Sequence, residues 1–306
     1  MEIGCFGKLP IHSDFIRQGA FGMEISAFDQ WLQEGILAAQ RKFGKGGGVG
    51  VSFDKIPLWN FVFCPSGESR YLAGVWMPSR DKSGRFYPFI VFAKFEKSTL
   101  SPSMVPFLLA PFLEEAARIA KENWVGKTVR QFLDDFSTHS FPVPSFQGKE
   151  EEAYHRYLQS ESHETFWVKL LGEFNHPGRA ALFRNLLNLP PSTDSASYRF
   201  GLKLPFSEND LFQIPFWYDF LARLQGRAIS HPTFFWSSPG GKNAALLFLG
   251  VPPPKSFLFF LDADREDESW VDLLQGSYCE GPVLFQNREC RLSDLLNEAG
   301  PVGSPR

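Results

Sequence analysis

No run of about 18 or more uncharged apolar residues occurs in the 306-residue chain, so no segment reads as a membrane-spanning helix. The opening residues Met1-Glu2-Ile3-Gly4 lack the basic stretch and apolar block of a secretory signal. The protein is therefore expected in the cytoplasm, without membrane insertion. Cysteine is scarce: Cys5, Cys64, Cys279 and Cys290 stand far apart with no Cys-x-x-Cys spacing. That pattern fits buried thiols in a reducing compartment and argues against a disulfide framework or a zinc site. The six histidines, His12, His139, His155, His163, His176 and His231, lie singly, and none forms the paired spacings that hold a catalytic metal. There is no Gly-x-Ser-x-Gly turn to present a nucleophile.

Two richer stretches fail on context. The run Gly44 to Gly50 follows a helical pattern where a phosphate loop needs a strand, and no Gly-Lys-Ser/Thr opens a second helix. Asp262, Asp264, Glu266, Asp267 and Glu268 lack the central glycine of a calcium loop, whose place Arg265 takes, and read as the acidic first turn of a helix near Trp270 to Leu274. Charge is nearly balanced: residues 1–150 carry 17 Lys and Arg against 15 Asp and Glu, and the remainder carries 14 against 19. Neither part is basic enough for the phosphate neutralisation that drives nucleic-acid affinity. No cofactor, no metal and no catalytic residue is expected, and the chain reads as a non-enzyme.

What the chain has in quantity is phenylalanine, 33 residues, within an ordinary 43% apolar and 21% charged composition. Such usage implies a packed core with aromatic interfaces, each ring burying a large area with few rotamers to lose. Ile3 to Leu9 reads as a strand ended by Pro10. Ser26-x-x-Asp29 offers a capping box for a helix from about Ala27 to Phe43, with Phe28, Trp31, Leu32 and Ile36 at helical spacing. Trp59 to Cys64, Arg70 to Met77 and Phe86 to Phe95 read as strands whose short connections permit antiparallel neighbours only. Phe89-Ile90-Val91-Phe92 is apolar on both faces, which places helices on both sides of the sheet.

Helical patterns follow from Ser103 to Asn123, broken by prolines, and from Val125 to Phe136. His139 to Gly148 reads as a linker. Beyond it come helices near Glu150 to Gln159, His163 to Phe174, Gly178 to Leu189 and Asp210 to Leu224. Strands at Tyr198 to Leu204, Thr233 to Ser237 and Ala244 to Leu249 accompany them, the last two joined by a turn at Pro239-Gly240-Gly241. Helices at Trp270 to Leu274 and Leu292 to Glu298 close the chain. The fold class is α+β: an antiparallel sheet between helical layers over residues 1–140, then a second α+β domain over residues 150–306.

The most informative segment is Met77-Pro-Ser-Arg-Asp-Lys-Ser-Gly-Arg-Phe-Tyr-Pro88. Pro78 fixes φ, Ser79 and Asp81 can bond neighbouring amides, and Gly84 can take the positive φ that reverses the chain. The product is a rigid hairpin tip presenting Arg80, Asp81, Lys82 and Arg85. Together with Gly4-Cys-Phe-Gly7-Lys-Leu-Pro10, Ser13-Asp14-Phe-Ile-Arg17 and Phe28-Asp29-x-Trp31, this segment resembles the TagF (ImpM) family of type VI secretion accessory proteins over roughly residues 1 to 135.

The resemblance implies post-translational repression of type VI secretion by engaging a forkhead-associated-domain scaffold. A fused metal-dependent phosphatase occurs in some relatives, but its aspartate-rich motifs are absent here. An assembly subunit and an unrecognised hydrolase are the alternatives. Asp14, Arg17, Asp29 and Arg85 are read as pairing or capping inside the fold, with Gly7, Pro10, Trp31, Ser79 and Gly84 as structural motif residues. The competing reading makes Arg17, Arg80, Asp81, Lys82 and Arg85 a docking surface.

Overall fold

Nine strands form one sheet in a computed structural model that describes residues 1–44, 52–98, 101–142, 149–189, 200–207, 210–226, 229, 232–237, 244–262, 267–275 and 285–300. The strands are β1 (Glu2–Gly7), β2 (Ile16–Gln18), β3 (Trp59–Phe63), β4 (Arg70–Met77), β5 (Phe89–Glu96), β6 (Gly201–Pro205), β7 (Thr233–Ser237), β8 (Ala244–Phe248) and β9 (Trp270–Asp272). Their order is β2-β1-β5-β4-β3-β7-β8-β6-β9. Every neighbouring pair is antiparallel except β6 with β9.

The helices of seven or more residues are α1 (Met23–Phe43), α2 (Ala110–Glu122), α3 (Val129–Thr138), α4 (Lys149–Ser160), α5 (His163–Leu171), α6 (Pro177–Leu187), α7 (Gln213–Leu224) and α8 (Leu292–Glu298). They cover both faces of the sheet, and β5 shows why. Phe89, Val91, Ala93 and Phe95 enter one core with Phe112 and Ile119 of α2, while Ile90 and Phe92 enter another with Phe28 and Leu32 of α1. The period-2 geometry of a strand sends an unbroken apolar run to both sides, as the sequence implied.

The two halves of the chain share this sheet, because β3 pairs with β7 in the register Trp59↔Ser237 to Val62↔Phe234. On the α1 side the seam is aromatic. Trp31 stacks on Phe28 at 5.7 Å and on Phe235 of β7 at 5.2 Å, and meets Phe257 and Phe260 edge-on at 6.1 and 6.3 Å. Its indole N–H donates to Pro253 O at 3.3 Å. Edge-to-face and offset contacts of this kind add to the burial of the rings themselves. On the opposite face Phe107 stacks on Phe212 at 4.3 Å, again joining the two halves.

Several expectations are corrected. The segment read as a helix at Trp270 to Leu274 contains strand β9, parallel to β6 with Trp270 opposite Gly201. Asp267 does not open a helix; its carboxylate accepts from the Ser269 amide and hydroxyl, a local turn that delivers Trp270 into the core. Helix α1 begins at Met23 rather than Ala27, and the Ser26 hydroxyl donates back to Gly22 O at 3.1 Å, so Ser26 and Asp29 form no capping box. The capping box lies instead at Thr128 and Gln131, so α3 starts at Val129 and not at Val125. Strand β5 begins at Phe89, after Pro88, which has no amide to donate to a ladder. Strand β2 has no counterpart in the sequence reading. The glycines at 45–50, the linker residues 143–148, the turn at 238–243, the acidic residues 263–266, Cys279 and His231 lie outside the described residues.

Candidate protein-contact surface

The hairpin between β4 and β5 is laddered almost to its tip. Tyr87 N donates to Ser79 O at 3.0 Å, Asp81 N to Arg85 O at 3.0 Å and Gly84 N to Asp81 O at 2.9 Å. Gly84 has φ of 82°, the left-handed turn position that the sequence assigned to it. A fourth bond, Lys82 N to His12 O at 2.8 Å, ties the tip to the loop after β1. That loop leaves β1 through Gly7, whose φ is 127° and whose absent Cβ would lie 2.0 Å from Pro88 O. Glycine is required there for both conformation and space.

Asp81 is the centre of this arrangement and, contrary to expectation, is not presented to solvent. Its side chain is fully buried, and its carboxylate accepts from Arg85 Nε at 2.7 Å, Lys8 Nζ at 3.0 Å, the Ser83 amide at 2.9 Å and the Arg85 amide at 3.0 Å. Burial acts to raise the Asp81 pKa, but the bonds from Lys8, Arg85 and Ser83 together outweigh it and hold the carboxyl well below the usual range. Every acceptor position on this carboxylate is committed to the fold.

A second pair sits alongside. Arg17 of β2 donates to Asp29 of α1 at 3.2 Å, and the Tyr87 hydroxyl also donates to Asp29. Burial first, then the adjacent Asp29 carboxylate, raises the Tyr87 pKa and keeps its hydroxyl protonated. Phe15 bridges the two pairs: its ring lies 4.9 Å from that of Tyr87, with Lys8 Nζ 5.2 Å and the Arg17 guanidinium 5.8 Å from its centroid. Arg85 reaches further and donates to Ser13 O. Arg80 grips Asp54 through Nε at 2.9 Å and Nη2 at 2.7 Å, and donates from Nη1 to Gly84 O at 2.9 Å.

The structure thus gathers Arg17, Asp29, Arg80, Asp81, Lys82 and Arg85 at one end of the sheet. Arg17 pairs with Asp29, whereas Arg85 pairs with Asp81, a residue read as part of the docking surface, and not with Asp14 or Asp29. Asp14 stands apart, exposed, and among the described residues accepts from the amide of its neighbour Phe15 at 2.8 Å. Pro10 is exposed in the turn after β1, Ser79 is buried beneath the tip, and Trp31 lies in the core seam. Sequence reasoning missed Lys8, Tyr87 and Asp54. Lys8 and Tyr87 lie inside segments already singled out, whereas Asp54, 26 positions from Arg80, had no signal of its own.

The described residues contain no group of three or more His, Cys, Asp or Glu able to hold a metal, and no helix long and apolar enough to cross a membrane. Two of the cavities bordered by described residues are the following. One of about 360 Å³ lies over Asn60 and Trp236 beside Leu113 and Ala117 of α2; the other, about 160 Å³, lies beside Lys169, Lys203 and Asp272. Neither has a histidine or cysteine among its described lining residues. Cys5 and Cys64 are buried thiols whose pKa values burial raises, that of Cys64 to about 12. His163 is buried with Nδ1 3.1 Å from Asn287 O, and burial lowers its pKa to about 4, so it is neutral at physiological pH.

These observations define an open-sheet α+β protein whose motif residues build a braced, polar hairpin tip. The chain belongs to the TagF N-terminal domain family, type VI secretion system-associated, whose profile matches residues 4–167. Its fold is similar to the crystal structure of PA0076 from Pseudomonas aeruginosa PAO1, with a TM-score of 0.52 and 18% sequence identity over 92% of this chain and 100% of that one. No curated protein matches the sequence.

Proposed function

We propose that the chain is a non-enzymatic, cytoplasmic regulator that represses type VI secretion by binding a protein of the machinery, a forkhead-associated-domain scaffold being the expected partner. Membership in a type VI secretion-associated family supports the setting. The observation that favours contact over catalysis is the state of Asp81. A general acid or base must have a proton position open to substrate, and this carboxylate has all of its acceptor positions filled by Lys8, Ser83 and Arg85. Around it, Arg17, Lys82 and Arg85 are exposed on a braced backbone, the condition under which a contact loses little conformational entropy on binding.

Purification of the tagged chain from secreting cells tests this reading. The expected result is capture of the scaffold in a soluble complex of fixed stoichiometry. Recovery of the chain as a permanent component of isolated secretion complexes would identify an assembly subunit instead, and capture of no secretion protein would overturn the proposal.

A further inference from the structure

Two of the ion pairs at the tip are asymmetric in exposure. The Asp81 side chain is 0% exposed where its partner Arg85 is 62% exposed, and Asp29 is 13% exposed where Arg17 is 50% exposed. In these two pairs the negative end is inside and the positive end faces water, while the Arg80–Asp54 pair has both ends exposed, at 36% and 50%. Lys82 adds an exposed ammonium with no hydrogen bond or ion pair among the described residues, and Lys55, also exposed, follows the Asp54 that Arg80 grips. Counting Lys8, Arg17, Lys55, Arg80, Lys82 and Arg85 against Asp14, Asp29, Asp54 and Asp81 leaves this end with two excess positive charges, on a chain whose net charge is −3.

The cations are also held in place. Arg85 is fixed through Nε to Asp81 and Nη2 to Ser13 O, and Arg17 through Nη2 to Asp29. Both side chains remain at least half exposed, so the N–H groups left over from these bonds are accessible to a partner. A guanidinium held this way binds a carboxylate at lower entropic cost than a free one. The half-exposed Phe15 ring, flanked by Lys8 and Arg17, supplies an apolar floor between them.

We propose that this face binds an acidic, Asp- and Glu-rich segment of a protein partner, with Arg17, Lys82 and Arg85 as the reading residues; the inference rests on the contact-based regulation proposed above and specifies its chemistry. Exposed cations at this end (Arg17, Lys55, Lys82, Arg85) outnumber exposed carboxylates (Asp14, Asp54), and a neutral or basic partner would leave these donors unmatched.

The test is fluorescence anisotropy of the full chain with a short labelled Glu-rich peptide, a Gln-rich peptide of equal length as control, and two variants of opposite sign. Lys82→Glu removes the unpaired cation and is expected to weaken binding about fivefold. Asp14→Asn removes an exposed carboxylate while keeping the oxygen that caps Phe15, and is expected to tighten binding about twofold. Binding of the Glu-rich peptide should fade at about 0.5 M salt. Equal binding of the Gln-rich peptide would overturn the inference, as would two variants that retain wild-type melting and wild-type affinity. Tighter binding to anionic vesicles or duplex DNA than to the peptide would overturn it in favour of another partner class. Capture of the scaffold without binding of the Glu-rich peptide sinks only the acidic-segment assignment. Peptide binding that follows both variants, without capture of any secretion protein, sinks only the regulatory reading.

Discussion

Asp81 and Lys82 are neighbours with opposite duties. The buried carboxylate of Asp81 collects two side-chain cations and two amides, so Asp81→Asn removes charge from a site built for it and strands Lys8, itself buried. We expect Asp81→Asn to lower Tm clearly, whereas Lys82→Glu, on the exposed side, should leave stability within about 0.5 kcal/mol. Because the Asp81 pKa is depressed in the folded state, its stabilising contribution is complete above the ordinary carboxylate pKa and is lost as pH falls below it. Gly7 and Gly84 separate in the same way. Gly84→Ala meets nothing within 4 Å and carries only the conformational cost of its φ, about 1 kcal/mol. Gly7→Ala adds a collision with Pro88 O and should cost more than about 3 kcal/mol, measured by urea denaturation. If the two substitutions proved equal, the close approach of β1 to Pro88 would be wrong. The motif glycines and the chain reversal were readable from residue type alone. The burial of Asp81 was not, because it depends on Lys8 arriving from the end of β1, more than 70 positions earlier.

Among the elements, α1 carries the clearest test. Phe28 packs against Phe61 at 4.6 Å and Trp31 against Phe235 at 5.2 Å, so α1 is held to strands from both halves of the chain. Trp31→Ala should cost about 3–5 kcal/mol, with Phe28→Ala similar, read from denaturant midpoints; a cost below about 1 kcal/mol would remove the aromatic seam from the account. The helical spacing of these residues was plain in the sequence, because an amphipathic pattern is local. Strands β4 and β5 were equally plain, since their apolar runs are bounded by turn residues. Strand β9 was misread: a three-residue edge strand after an acidic stretch has too few alternating positions to reveal its period, and its pairing with β6 is parallel and distant. Strand β2 escaped for the same reason, with Ile16 its one buried residue. The segments Phe6 to Pro10 and Phe200 to Pro205, alike in sequence, contribute to β1 and β6, each second from an edge of the sheet.

At the scale of the whole molecule, the β3–β7 ladder makes the sheet one structure, and thermal unfolding followed by tryptophan fluorescence and by far-UV circular dichroism should coincide in one transition. Two separate transitions would contradict that coupling. His163 sets part of the pH dependence. Its pKa is about 4 when folded, below the ordinary 6.5, so the unfolded chain takes up this proton first and stability falls as pH drops from about 6.5 to about 4, by up to about 3 kcal/mol. Asp210 and Asp219, whose pKa values burial raises, act in the opposite sense, so the His163 share is read by comparison with His163→Gln, in which the slope between pH 6.5 and 5 should flatten. Regulation by stoichiometric contact is measured by titrating the chain against its scaffold in secreting cells while following secreted product. Secretion should fall in proportion to the chain and stop near one chain per scaffold molecule. Complete repression far below that ratio would show turnover, and would contradict stoichiometric contact.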